Sequence, residues 1–400
     1  MSEWKKCPIG EVVTLRQGFA INAKSKHYMS KEETSLPLLR IADMKNGTKE
    51  VFVKEEIPQR FIAHPEDIIY TRTGNVGLVF RNNYGVMHNN CFSVTPNDAD
   101  ELSRDFLYYA LQNKTFFDTA NALARGAAQP DLPHTSFNSI EFAYPSLFVQ
   151  ERIAYILSRY DSLIENYQKQ IKLLEEAAQR LYKEWLVDLH FPGHENTNII
   201  DGVPEGWEKK KVGEIAPIIT GKKDANFGTP NGEYPFFTCS QEPIKAPSFS
   251  FDCAAVLLAG NGDFNVKLYR GKFEAYQRTY VLSPYCAQHL YLLYYTISAN
   301  MTKLAAGSSG STIKFLTKGM IDGINLNIPN DEILRSFNKK VEPIQSSRES
   351  LQSQLRLLTE ARDRLLPKLM SGELTLEARA EKEDLLATPC KRGWEEDEAK

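Results

Sequence analysis

Between Gln150 and Leu186 the chain carries neither proline nor glycine, and its apolar residues recur at heptad spacing. One column reads Leu157, Ile164, Ile171, Ala178 and Trp185, and the other Ile153, Tyr160, Tyr167, Leu174 and Leu181. Alternating steps of three and four gather these side chains into one stripe on a helix, which predicts a coiled coil or long helical hairpin. The pattern returns 184 residues later as Phe337, Val341, Ile344, Arg348, Leu351, Leu355, Leu358, Arg362, Leu365 and Leu369, with two arginines interrupting it. Pro343 predicts that the regular part of this second helix begins at about Ile344, and Pro367 that its end frays. A helix of about 37 residues spans roughly 55 Å, longer than one domain needs. Each seam buries best against the other, which predicts an antiparallel pair with globular units at its opposite ends.

The repeat extends beyond the helices. Trp4, Gly10, Glu11 and Val12 match Trp207, Gly213, Glu214 and Ile215 at an offset of 203. The apolar run and glycine turn of 67–75 return at 254–261, Cys91–Pro96 at Thr279–Pro284, and the small-residue loop 123–128 at 304–309. Runs rich in β-branched and aromatic residues predict strands at 68–71, 85–95, 255–259 and 278–283. One short helix is expected in each unit, at 103–112 and 287–300. The reading is therefore α+β, with a globular unit at 1–147, a spacer helix at 148–187, a linker at 188–199, a second globular unit at 200–330, a second spacer helix at 331–371 and an acidic, flexible tail at 372–400.

Composition sharpens this picture in a few places. With 400 residues, 42% hydrophobic and 25% charged, the chain fits two or three ordinary globular domains. A net charge of −3 weighs against a polyanion partner until it is localised. Residues 372–400 hold nine acids and five bases, so the rest of the chain is net +1. The cysteines, at 7, 91, 239, 253, 286 and 390, form no Cys-x-x-Cys and read as buried thiols of a cytoplasmic protein. No phosphate-binding loop, dinucleotide fingerprint, zincin motif, nucleophile elbow or Asn/Asp-Pro-Pro-Tyr/Phe tetrapeptide occurs, and the seven histidines do not cluster at ligand spacing. No catalytic or metal residue is therefore assigned, and neither a signal peptide nor a membrane span is expected.

Several stretches, in order, resemble the specificity subunit of type I DNA restriction-modification systems over about residues 1–372: 38–44 (LLRIADM), 126–132 (GAAQPDL), 150–154 (QERIA), 173–177 (LLEEA) and 365–374 (LLPKLMSGEL). The resemblance implies two tandem target-recognition domains separated by a pair of long antiparallel coiled-coil helices, an internal pseudo-twofold repeat. Each domain would read one half of a bipartite double-stranded DNA target. The helices would set the gap between halves and dock two modification (methyltransferase) subunits. A separate restriction subunit, an endonuclease and translocase, would cleave. This chain would bind no cofactor itself, leaving S-adenosylmethionine, and ATP with magnesium, to its partners.

Base readout favours Arg, Asn and Gln on loops that reach a groove. In the first unit the candidates are Arg72, Thr73 and Asn75 around Gly74, then His88, Asn89 and Asn90, then Arg125 and Gln129. In the second they are Asn261, Asn265, Lys267, Gln277, Arg278, Ser308, Ser309, Thr312 and Lys314. Packing of the helix pair is assigned to Leu157, Tyr160, Ile164, Tyr167, Ile171, Leu174, Leu181 and Trp185 against Leu351, Leu355, Leu358 and Leu365. A non-enzymatic adaptor joining two protein-binding domains, and an enzyme whose motif is unfamiliar, are the alternatives.

Overall fold

Period-two alternation along two central strands builds the first globular part. On Ile68–Thr71 and Cys91–Pro96, the side chains of Ile68, Tyr70, Phe92 and Val94 enter one core, while Ile69 and Cys91 enter another with Leu39, Ala63 and Met87. These strands lie at the centre of an antiparallel sheet in the order Val13–Gln17, Cys91–Pro96, Ile68–Thr71, Val79–Phe80. A short-stranded five-membered sheet supplies Leu39, Ala63 and Met87 on one side. On the other side lie helices Arg104–Gln112 and Lys114–Leu123, where Tyr70 stacks on Phe92 with ring centroids 5.4 Å apart.

The computed structural model describes residues 4–308 and 314–374. The chain divides into two compact units, one formed by the chain up to Glu165 together with that from Arg356, the other by Asn166–Leu355. Each unit therefore contains half of each long helix.

The second globular part follows the same logic. Val256 and Leu258 of strand Phe251–Ala259 face one core, Ala255 and Leu257 another. Its sheet runs Ile218–Thr220, Thr279–Leu282, Phe251–Ala259, Val266–Ala275, Tyr234–Phe237, Ile244–Ala246, with one parallel pairing, between Tyr234–Phe237 and Val266–Ala275. The repeat is visible in register: Lys5 pairs with Tyr144 in one unit and Glu208 with Ile328 in the other, the offsets being 203 and 184. Ser103 caps its predicted helix by accepting from the Phe106 amide, whereas helix Lys114–Leu123 was not expected. Leu290–Gly307 is longer than predicted and absorbs the start of the supposed small-residue loop, because Leu304 is buried in the core and anchors that turn. Of the five cysteines among the described residues, all free thiols, only Cys91 is buried and Cys286 is exposed, so uniform burial does not hold.

The first long helix spans Leu147–Tyr182 and ends in a π-helical turn, Lys183–Val187; the second spans Asp331–Met370. In the second unit Trp185 faces Phe337 at 6.4 Å between ring centroids and Glu175 faces Arg348 at 3.8 Å, so these helix halves run in opposite directions. In the first unit Asp161 accepts from Arg362 at 3.1 Å, and Ile153, Ala154, Leu157, Leu369 and Met370 share one core. Every heptad position named above is buried or half-buried. Two expectations are corrected: the helix runs unbroken through Pro343 and through Pro367. Pro343 is exposed, so the carbonyl it fails to bond faces water, while Val341 and Gln345 beside it are buried and hold the backbone in place.

Both seam arginines have partners. The buried Arg348 donates to the Tyr294 hydroxyl at 2.9 Å and pairs with Glu175, but its Nε has no partner. Glu175 is 41% exposed and can turn to water, but Arg348→Met takes the donor from the buried Tyr294 hydroxyl while keeping most of the volume, and is expected to cost about 1 kcal/mol. Arg348→Ala, which also leaves a cavity, is expected to cost about 2 kcal/mol or more. Urea titration of both variants checks the contrast; equal losses would contradict it.

Candidate functional site

Backbone bonds join three loops of the first unit, beside the close approach at Gly18. Its amide donates to the Cys91 carbonyl at 3.1 Å, and a Cβ there would collide with the His88 carbonyl oxygen. The Arg72 and Thr73 amides donate to the Asn90 carbonyl at 2.8 and 3.3 Å, and the Gly74 amide, in a left-handed turn with φ 82°, to that of Pro130 at 2.8 Å. Arg125 and Asp131 exchange backbone bonds at 2.8 Å. The turn at 72–75, the strand entry at 88–90 and the loop at 125–131 are thus joined. Gln17, Gly18, Ala20, Arg72, Thr73, Asn89, Asn90 and Asp131 line a shallow concavity of about 440 Å³.

The side chains there divide into committed and free ones. Arg72 grips Asp131 through Nε at 3.1 Å and Nη2 at 2.7 Å, and reaches Gln17 Oε1 through Nη1 at 3.1 Å. The Thr73 hydroxyl donates to the same carboxylate at 2.6 Å. This Arg72 contact holds the Asp131 carboxyl below its ordinary range. Burial, with Arg40 nearby, lowers His88, and its Nδ1 accepts the Asn90 amide at 3.3 Å, so His88 acts here as a neutral acceptor. The carboxamides of Asn75, Asn89 and Asn90, and the exposed ends of Arg125 and Gln129, have no hydrogen-bond partner among the described residues.

The second unit repeats the scaffold with other side chains. The Gly221 amide donates to the Thr279 carbonyl at 3.1 Å, and a Cβ there would collide with the Ala275 carbonyl oxygen. Asn261 bridges to Phe315 as Thr73 does to Asp131, placing Lys314 beside the turn. Asn261 Oδ1 accepts from the Cys239 thiol at 2.8 Å. Asn265 is buried and donates to the carbonyls of Cys239 at 2.9 Å and Asp263 at 2.6 Å. Lys267 donates to the Ser240 carbonyl at 2.7 Å and to Asn265, and burial lowers its pKa. Gln277 donates to Asp224 at 2.6 Å and Ser308 to the Ala305 carbonyl at 2.6 Å. Arg278 and Lys314 are exposed, with no hydrogen-bond partner for their side chains among the described residues. Ser309 and Thr312, like the acidic tail beyond Leu374, lie outside the described residues.

Sequence reading missed Gln17, Asp131 and Cys239. The offset of 203 that pairs Trp4 with Trp207 also pairs Gly18 with Gly221 and would have pointed to Gln17 beside Gly18, but not to Asp131 or Cys239. Among the described residues, no group of three His, Cys, Asp or Glu could hold a metal, and no helix is long and apolar enough to cross a membrane.

The family model described as the type I restriction modification DNA specificity domain matches residues 1–176 and 204–347. The chain is 36% identical over 194 residues to the type I restriction enzyme EcoDI specificity subunit of Escherichia coli, a match covering 48% of this chain and 44% of that protein. It is 27% identical over 316 residues to the MjaIX specificity subunit of Methanocaldococcus jannaschii, covering 71% of this chain and 72% of that one. The crystal structure of the type I restriction-modification S subunit from M. genitalium has a similar fold, with a TM-score of 0.64 at 18% identity, over 92% of this chain and 96% of that one.

Proposed function

This chain belongs to the type I restriction-modification DNA specificity family, and on that premise we propose that it is the sequence-reading subunit of a type I restriction-modification complex. The observation that carries this reading is the duplicated scaffold. Gly18 and Gly221 make equivalent close approaches in the two units, and each unit presents side chains with no hydrogen-bond partner among the described residues that can bond to bases or phosphates: Asn75, Asn89 and Asn90 in one, Arg278 and Lys314 in the other.

In this reading the domains at 1–147 and 200–330 each recognise one half of a bipartite target in double-stranded DNA. The helices pair as an antiparallel coiled coil that sets the gap and docks two modification subunits, and restriction subunits join the same complex in the cytoplasm. The chain itself performs no catalysis. S-adenosylmethionine, and ATP with magnesium, belong to its partners. Arg72 supports the reading surface through Asp131, and Asn265 and Lys267 support the second loop set. A chain that is close to neutral outside its acidic tail leaves much phosphate neutralisation to those partners.

Binding measurements test this. The chain alone is expected to bind DNA weakly and with strong salt dependence, and to gain sequence-specific binding when copurified with its modification subunit. No DNA affinity in that complex would favour the adaptor alternative. Within the complex, Asn90→Ala is expected to cost about 1–3 kcal/mol at the first half-site only. Lys314→Ala is expected to weaken all sequences alike and to lower the salt slope by about one. Titrations at several salt concentrations separate the two effects; a sequence-selective loss in Lys314→Ala would reverse the assignment.

A further inference from the structure

Each unit contains a constellation of arginine, tyrosine and carboxylate that lies outside the reading surface and ties the globular part to a long helix. In the first unit, Arg81 follows strand Val79–Phe80, and its guanidinium lies 4.1 Å over the Tyr108 ring. It donates to the Tyr109 hydroxyl at 3.2 Å and to Asp161 at 3.5 Å. Tyr109, on helix Arg104–Gln112, donates its own hydroxyl hydrogen to Asp161 at 2.7 Å. The other oxygen of Asp161, on the first long helix, takes Arg362 of the second at 3.1 Å. In the second unit, Arg270 on strand Val266–Ala275 donates to the Tyr291 hydroxyl and, at 3.2 Å, to Glu342 of the second long helix. The Tyr291 hydroxyl, on helix Leu290–Gly307, donates to the same carboxylate at 2.6 Å.

Each triad thus links a residue on or just after a sheet strand, a helix of the globular part and a long helix. Apolar contacts between such elements tolerate sliding, because the hydrophobic effect has no direction. Charge-assisted bonds from an arginine fork and a phenol to one carboxylate fix both distance and angle. The pair in the second unit is too exposed for its charges to add much to folding, the Arg270 and Glu342 side chains being 37% and 52% exposed, whereas Arg81 and Asp161 are 21% and 16% exposed. Their geometry is set firmly all the same. Burial and the adjoining carboxylates raise both phenols, which therefore remain donors, and the Tyr291 hydroxyl and then Arg270 hold Glu342 below its ordinary range.

We propose that Arg81, Tyr109 and Asp161, and likewise Arg270, Tyr291 and Glu342, are positioning residues that lock the angle of each globular domain on its long helix and so confine the gap between half-sites to one length. The proposal rests on the functional reading above. Its test uses the full chain in complex with its modification subunits, acting on a plasmid library in which the gap between two fixed half-sites is varied, with methylated adenines read by sequencing. The wild type is expected to modify one gap length. Tyr109→Phe and Tyr291→Phe, which keep the ring and remove only the hydroxyl, are expected to raise modification of gaps one base pair longer or shorter by about tenfold or more. Both half-sites should stay unchanged. Arg81→Met and Arg270→Met should do the same more strongly. Unchanged gap preference in both tyrosine variants, whatever their overall rate, would overturn the proposal and leave the triads merely structural. A wild type with no gapped target would overturn the functional reading and this proposal with it.

Discussion

Seven residues inserted into each long helix, between Glu165 and Asn166 and between Leu355 and Arg356, are expected to lengthen the gap in the target by about three base pairs. Two heptad turns add about 10 Å at the helical rise, and one DNA step along the axis covers roughly 3.4 Å. Both half-sites should remain as they were, since no residue of either globular domain changes. Length matters here through phase as well as distance. Seven residues return the apolar stripe to the same side, whereas five turn everything downstream by about 140° at roughly 100° per residue. The five-residue insertion is therefore expected to break the phase of each stripe where it enters, so that Ile164 and Tyr167, and likewise Leu355 and Leu358, no longer share one helix face, and to abolish modification. Mapping methylated adenines for both insertions checks the pair of outcomes. Altered half-sites, or an unaltered gap in the seven-residue variant, would contradict a spacing role for the helices.

The largest single-residue effect on stability is expected at Phe337. Its side chain is 0% exposed, with Trp185 and Tyr295 each at 6.4 Å between ring centroids. Emptying that site removes a phenyl ring from the place where the start of the second long helix, the end of the first and helix Leu290–Gly307 share one core. Phe337→Ala is expected to cost about 3–5 kcal/mol. Leu357→Ala, at a position 58% exposed on the same helix, is expected to cost less than about 0.5 kcal/mol. Urea titration of the two variants gives the comparison; a small loss at Phe337 would mean that the seam is not closely packed there.

The helices are legible in the sequence because a heptad stripe is a local pattern with one efficient use. Even its two irregular members obey it: Arg348 and Arg362 occupy seam positions and find Tyr294, Glu175 and Asp161 there. Pro343 misleads because its cost depends on which way the unbonded carbonyl faces, and that follows from the phase of the buried stripe. The strands are readable for a similar reason, but their partners are not. Gly85–Met87 pairs with Leu36–Leu39 and Ile62–Ala63, a choice made by long-range packing.

The candidate surface is legible as a set of loops and much less as a set of roles. Arg72 has the fork geometry for guanine, yet Asp131, 59 positions away, occupies it. Lys267 and Asn265 bond to each other and to the carbonyls of Ser240 and Cys239, groups that carry no compositional signal. Which polar side chain remains free depends on partners brought in from distant segments, and single-residue chemistry contains no record of that. The repeat does better, because Gly18 and Gly221 share the offset of the two tryptophans and mark where loops must approach closely.

The account stands or falls on whether this chain directs modification to a bipartite sequence. The direct measurement is to express it with its modification subunit in a host lacking adenine methylation and to sequence the methylated adenines. The expected result is one motif with two defined halves separated by a fixed number of unspecified base pairs, lost when the chain is omitted. A continuous motif, or methylation of the same sites without this chain, would contradict it.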